Sequence, residues 1–259
     1  MTPTPGDHVQ SLARGLAVIR AFDADHPRQT VSEVATATGL SRPAARRFLL
    51  TLVDLGYVRS DGNAFWLTPR VLDLGYSYLS SLSLPELAGP HLEALAAKVH
   101  ESASVSILDG DDIVYVARVP VSRIMAVSIT IGTRFPAYAT SMGRVLLAGL
   151  NDHELDEHLA RVSPVALTEH TKTTVRELRD EIDRVRRDGY CIVEEELELG
   201  LRSLAAPVHG RDRAVIAAIN ISTQSARYSV DAVHADLLPQ LQTTAAEITA
   251  DLARTPNSR

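Results

Sequence analysis

The stretch that most constrains this chain is residues 31–55, VSEVATATGLSRPAARRFLLTLVDL. Val31, Val34 and Ala35 fall on one face of a short helix, which Gly39 and Leu40 interrupt. Ser41 is suited to cap a second helix, accepting a hydrogen bond from the free N–H groups of its first turn, and Pro43 is tolerated just inside. At about 100° per residue, Ala45, Phe48, Leu52 and Leu55 form one apolar stripe on that helix. Arg42, Pro43, Arg46 and Arg47 lie roughly opposite. A short helix, a turn containing Gly and a second helix with a basic outer N-terminal face make a helix-turn-helix, whose second helix enters the DNA major groove. The arginines fit that use, because a guanidinium binds guanine O6/N7 or a phosphate in bidentate fashion. A helical hairpin with merely solvated arginines is the other reading of these residues.

The flanking sequence favours the DNA-facing reading. Residues 1–8 are Pro-rich and expected to fray. Residues 11–24 read as a helix with Leu12, Leu16, Ile19 and Phe22 inward and Arg14 and Arg20 outside. Residues 57–67, YVRSDGNAFWL, are two short strand-like runs around Asp61-Gly62-Asn63, a favoured hairpin turn. A hairpin directly after the second helix is a wing, from which Arg59 reaches a phosphate or simply stands in solvent. Residues 1–67 are thus expected to form a winged helix-turn-helix domain.

Thr68-Pro69 then reads as an N-cap and first helical residue of a linker helix over residues 68–84. Its apolar residues Val71, Leu72, Leu74, Tyr76, Tyr78, Leu79 and Leu82 cover more than one face, which a helix must bury against something. A second copy of the chain, together with the chain's own domains, is the expected cover, and a homodimer is also what reading a palindromic operator needs; packing only within the same chain is the alternative. From residue 85 to 259 the texture is that of an α+β domain. Helices are expected over residues 86–100, 140–149, 151–161, 174–188 and 231–253. Strands are expected over residues 104–108, 113–119, 124–131, 190–197, 202–208 and 214–222.

The net charge of −6 looks wrong for a DNA-binding protein until it is divided. Residues 1–70 hold eight Arg and six Asp or Glu, and the remaining residues hold 18 Lys or Arg against 26 Asp or Glu. A slightly basic module joined to an acidic one fits a nucleic-acid-facing unit coupled to something else. The single cysteine, Cys191, allows no intrachain disulfide and fits a reducing compartment. With charged residues at the N-terminus and no apolar run of about 20 residues, neither a signal peptide nor a membrane span is expected. A cytoplasmic protein without membrane contact is the expectation. An enzyme is disfavoured: there is no GxSxG, HExxH, GxGxxG or GxxxxGK[ST], and the nine histidines lack ligand spacing with cysteine. No cofactor and no metal are expected. A purely architectural DNA binder is disfavoured by the long acidic C-terminal part, which contributes little phosphate affinity.

Along nearly its whole length, from about Ser11 to Ala253, the chain resembles the IclR family of bacterial transcriptional regulators. The resemblance is carried by SLARGLAVIRAF, LSRPAARRFLLTLVDLGYV, FPAYATSMGRVLLA (residues 135–148), EEELELGLRSLAAPV (residues 194–208) and AAINIS (residues 217–222). The wording is most similar to the branch controlling protocatechuate, 4-hydroxybenzoate and β-ketoadipate catabolism. It implies an N-terminal winged helix, a linker helix and a C-terminal GAF-like domain. The partners it implies are double-stranded operator DNA and a small carboxylate effector of the protocatechuate, 4-hydroxybenzoate or β-ketoadipate class.

The residues support an effector site where the resemblance puts one. A helix starting near Thr140–Met142 offers free N–H groups and the positive end of its dipole to a carboxylate, and Gly143 would let it sit tight on the sheet. The resemblance implies backbone contacts from Ser141 and Met142 and side-chain contacts from Ser203, Asn220 and Ser222. In AINIS, alternation turns Asn220 and Ser222 to the same strand face. Where some members of the family carry an acid, this chain has Val193, which suits a larger or more apolar ligand. By alternation Glu195, on the face of Val193, would lie nearer the pocket than Glu194 or Glu196, a solvated strand end being the alternative. Arg134 is a candidate counter-ion for a ligand carboxylate, with a surface position as the alternative, and Tyr138 a candidate lining residue.

Overall fold

The computed structural model describes residues 9–74, 83–121 and 129–254 and divides the chain into two units, Met1–Ser81 and Leu82–Arg259. The expected frayed end at residues 1–8, the middle of the linker helix with Tyr76, Tyr78, Leu79 and Leu82, and the start of the expected strand at residues 124–131 lie outside the described residues.

The first unit contains α1 (Gln10–Arg20), α2 (Val31–Thr38), α3 (Arg42–Asp54) and the antiparallel strands β1 (Val58–Ser60) and β2 (Phe65–Leu67). Local chemistry sets each boundary. Thr30 and Glu33 form a reciprocal capping box at the start of α2, and Gly39 ends it at φ +66°. Ser41 caps α3 by accepting a hydrogen bond from Ala44 N. Asp61 Oδ1 accepts hydrogen bonds from the backbone of Asn63 and Ala64 to close the hairpin. The core gathers Val18, Phe22, Val34, Ala45, Leu49, Leu52, Val58 and Phe65.

Two expected stripes are corrected here. On α3, Ala45, Leu49 and Leu52 are buried, while Phe48 packs at the core's edge and Leu55 is 53% exposed. The chain leaves the helix after Asp54, so Leu55 no longer follows the stripe. On α1, Val18 turns inward, whereas Leu12 and Leu16 are 64% and 46% exposed. Gly15 faces Phe48 of α3, and a Cβ added there would meet its ring at 3.9 Å, an ordinary van der Waals distance. Beyond the hairpin, Thr68 caps a short 3-10 turn, Pro69–Val71, and the described residues of the linker end at Leu74.

The second unit begins with α4 (Ser83–Val99), three residues earlier than the spacing predicts, with Pro90 inside it. The antiparallel strands β3 (Ser102–Asp109) and β4 (Asp112–Val119), then β5 (Arg134–Pro136), precede the helices α5 (Ser141–Ala148), α6 (Asp152–Arg161) and α7 (Val175–Asp188). The antiparallel strands β6 (Cys191–Glu194), β7 (Leu201–His209) and β8 (Val215–Gln224) follow, and α8 (Leu238–Arg254) closes the chain. The sheet order is β5-β4-β3-β8-β7-β6. One face packs α4 and α8 through Leu92, Leu95, Leu241 and Ile248. The other carries α5, α6 and α7 through Leu147, Leu155, Leu159, Leu178 and Ile182. This is the α+β arrangement expected; of the strand expected over residues 124–131 only residues 129–131 are described, and they lie outside any strand, ahead of β5. The closing helix is also interrupted: a turn at Val230–Ala232 runs through a π-helical segment, Val233–Leu237, into α8.

Candidate DNA-binding and effector sites

On the first unit, Ser41, Arg42, Pro43, Arg46, Arg47, Arg59 and Arg14 are all exposed. They do not stand in the same environment. Arg42 donates a hydrogen bond to Ser32 Oγ and so ties the start of α3 to α2. Arg46 and Arg47 share the outer face of α3, and Arg59 stands on β1 opposite Trp66. Arg28, which sequence reasoning left in an undistinguished loop, fixes the wing. Its guanidinium lies 4.1 Å over the Trp66 ring and 2.5 Å from Asp61 Oδ2, while Gln29 and Phe65 exchange two backbone hydrogen bonds. No local sequence pattern reports such a contact, because its partners are more than 30 residues away.

On the second unit, Thr140, Ser141, Met142, Ser203, Asn220 and Ser222 line one cavity together with Tyr115, Ile129, Ala139, Val193, Leu197 and Leu201. The start of α5 is built for this. Thr140 Oγ1 accepts a hydrogen bond from Gly143 N at 3.1 Å, which leaves the N–H groups of Ser141 and Met142 as the unsatisfied donors of the first turn. Ser141 Oγ lies 2.8 Å from Ser203 Oγ. Asn220 Nδ2 donates to Ser203 Oγ and Ser222 Oγ at 3.0 and 2.9 Å. Asn220 Oδ1 is buried without a partner, a costly state for an amide. Buried Tyr115 has its phenol pushed up to about 12 by desolvation, so it stays protonated and can donate.

The cavity is tight, about 20 Å³, little more than a water requires and well short of the roughly 150 Å³ that admits benzene. Entry of a ring needs lining side chains to move. Met142 is suited to it, being unbranched and adaptable; its Sδ accepts a hydrogen bond from Ser106 Oγ at 3.2 Å.

Three expected lining residues are elsewhere. Arg134 is an exposed β5 residue whose guanidinium pairs with Asp109 and Asp112 at 2.6 and 3.2 Å, so its charge is already met on the surface. Tyr138 is buried, and its hydroxyl donates to Val165 O and accepts from Val165 N, both at 3.0 Å; it anchors a loop instead. Glu195 fails because alternation ends before it. Strand β6 stops at Glu194, and Glu195 adopts φ +57°, so its carboxylate turns to Ser225 Oγ at 2.6 Å and His170 at 3.5 Å. Glu194 pairs across the ladder with Arg202. Glu196 is buried and takes both Nη1 and Nη2 of Arg144, at 2.8 and 2.6 Å. Gly143 sits tight, but on the Ala137–Ala139 turn instead of the sheet.

A winged helix-turn-helix unit followed by an α+β unit is the make-up of a DNA-binding transcriptional regulator with an effector domain. Two family models divide the chain accordingly: the IclR helix-turn-helix domain matches residues 11–62, and the bacterial transcriptional regulator IclR C-terminal domain matches residues 76–250. The chain belongs to the IclR family of bacterial transcriptional regulators. It is 43% identical to the Pca regulon regulatory protein of Pseudomonas putida, over 91% of this chain and 81% of that protein. It is 40% identical to the p-hydroxybenzoate hydroxylase transcriptional activator of Acinetobacter baylyi, over 93% and 91%. Among solved structures, a transcriptional regulator from Rhodococcus sp. RHA1 matches with TM-score 0.88 at 65% identity, covering 95% of this chain and 99% of that one. The inducer-binding domain of the Acinetobacter transcription factor PobR, a double mutant in complex with 3-hydroxybenzoic acid, matches with TM-score 0.60 at 34% identity, over 64% and 97%.

Proposed function

We propose that this regulator controls aromatic acid catabolism by binding a small carboxylate of the protocatechuate, 4-hydroxybenzoate or β-ketoadipate class in the second unit and operator DNA through the first. The observation that carries the effector reading is the convergence at one cavity of two free N–H groups, the α5 dipole and the unpartnered Asn220 Oδ1. Ser203, Asn220 and Ser222 complete the polar floor and Val193 keeps the far wall apolar. A relative that activates the p-hydroxybenzoate hydroxylase gene and a neighbour holding 3-hydroxybenzoic acid support the ligand class.

On the DNA side, Arg46 and Arg47 read or grip the major groove, with Ser41, Arg42, Arg59 and Arg14 on phosphates. The protein works as a homodimer or dimer of dimers, as a two-fold operator requires, and it acts in the cytoplasm without catalysing a reaction. Among the described residues, no helix is long and apolar enough to cross a membrane. The effector acts by binding one of two arrangements of the DNA-binding units more tightly, the only way a ligand shifts an equilibrium.

Thermal unfolding of the purified protein with protocatechuate, 4-hydroxybenzoate, β-ketoadipate, pyruvate and glyoxylate tests this. A ligand at a hundred times its Kd stabilises by about 2.7 kcal/mol. A shift with one of the first three, abolished in Asn220→Ala, is the expected result. A shift with pyruvate or glyoxylate alone would assign the regulator to a different pathway, and no shift with any acid would remove the carboxylate reading.

A further inference from the structure

The floor of the cavity continues beyond the residues that line it. Strand register places Arg118 opposite Ser104, and Ser104 opposite Asn220. The three form one row across β4, β3 and β8, on the sheet face that carries α5, since directly paired residues of a ladder share a face. A bulge between Val105 and Ser106 brings Arg118 there: Tyr115, opposite Ser106, and Arg118, three residues on, point the same way. Plain alternation would put them on opposite faces. With strands about 4.8 Å apart, Arg118 stands roughly 10 Å from Asn220 between Cα atoms, a gap that one arginine side chain and a short ligand can bridge.

Among the described residues, no carboxylate pairs with Arg118, and its Nη1 is buried without a hydrogen-bond partner. The neighbouring sequence, residues 120–131, contains no Asp or Glu. Burial lowers its pKa from the ordinary value, Tyr115 offsetting part of the effect; a guanidinium nonetheless stays charged. Leaving such a charge half-buried and unpaired is costly, and an incoming anion relieves that cost. The residues lining the cavity include no acid, and its other anchor, the first turn of α5, also favours negative charge.

We propose that Arg118 is a specificity-determining residue of the effector site: it holds the end of the ligand remote from α5, so the site prefers a molecule with two acid groups over one with a single carboxylate. A carboxylate there takes two parallel N–H bonds from the guanidinium fork. A phenol, neutral near pH 7, would leave the charge unmatched. The inference rests on the proposed seat of the first carboxylate at α5.

The test is calorimetric titration of the full-length protein with adipate and with hexanoate, equal in carbon number but carrying two acid groups and one. Adipate is expected to bind at least about tenfold more tightly, as a charge-assisted hydrogen bond warrants. Arg118→Gln should bring the two affinities together by weakening adipate alone, with the thermal midpoint of the apo-protein not lowered, since the variant removes an unpaired half-buried charge, and Arg118→Lys should keep part of the preference. Equal binding of both acids by the native protein overturns the role of Arg118 while leaving the α5 seat intact. So does an adipate preference that survives in Arg118→Gln, or 4-hydroxybenzoate binding more tightly than adipate and indifferent to the variant. If neither these acids nor any of the carboxylates above binds, the α5 seat fails and this inference falls with it.

Discussion

Gly143 and Arg144 are neighbours held by opposite constraints. A Cβ on Gly143 would lie 2.1 Å from Ala137 O, so only glycine lets α5 start where it does. Arg144 is 1% exposed, and its charge is tolerated because Glu196 meets it with two oxygens while Nε donates to Tyr138 O at 3.0 Å. Burial works against the charged guanidinium, but the hydrogen bonds to Glu196 and the negative charge around it hold its pKa above the ordinary value. Glu196 Oε2 also accepts a hydrogen bond from Lys172 N at 3.0 Å. Glu196→Ala is therefore expected to destabilise by about 3–5 kcal/mol, because it strands a buried charge, whereas Arg144→Leu with Glu196→Leu should recover most of that loss. Urea unfolding of the three proteins checks this; a double variant as unstable as the single would mean that the pair contributes more than its own neutralisation. The pair was not legible in the sequence. Glu194, Glu195 and Glu196 look alike there, and only the end of β6 and the left-handed turn at Glu195 separate a surface acid, a turn acid and a buried one. Of the two readings the sequence leaves for Arg134, the surface one holds, and the local motif could not decide it because the partners Asp109 and Asp112 come from a hairpin more than 20 residues earlier.

At the scale of elements, the turn-and-cap signals were the readable part. Gly39, Ser41 and Asp61-Gly62-Asn63 each act within a few residues, so helix-turn-helix and wing could be read directly. Thr140 at the start of α5 is the same kind of signal. Faces were harder, as the exposure of Leu12 and the bulge that turns Arg118 show, since a face depends on what packs against it. The difference between α3 and the wing gives a prediction. Arg46 lies on the outer face of α3, the helix proposed to enter the groove, while Arg59 stands on an exposed edge of the hairpin held by Arg28. Arg46→Ala should cost about 1–3 kcal/mol on operator DNA and much less on random DNA, as loss of a base contact does. Arg59→Ala should weaken both alike and reduce the salt dependence of binding by about one phosphate contact. Fluorescence anisotropy across a salt series separates them; equal losses on both DNAs for Arg46→Ala would reassign it to the backbone.

For the whole molecule, each unit has its own hydrophobic core, so calorimetry should resolve two unfolding transitions in place of one. The proposed effector cavity is lined entirely by residues of the second unit. A carboxylate effector should therefore raise the transition of that unit, by about 2.7 kcal/mol of stability at a hundred times its Kd, and leave the winged-helix transition where it was. Operator DNA should do the reverse. If effector binding changes operator affinity, linkage requires operator to change effector affinity by the same factor. Titrating effector into the protein alone and into the protein–operator complex measures that factor from one side, and operator binding with and without effector measures it from the other. Unequal factors would mean that a further species, such as a change in subunit number, takes part. Equal factors near one would show that the ligand stabilises its own unit without controlling the DNA-binding one, and the regulatory signal would have to enter elsewhere.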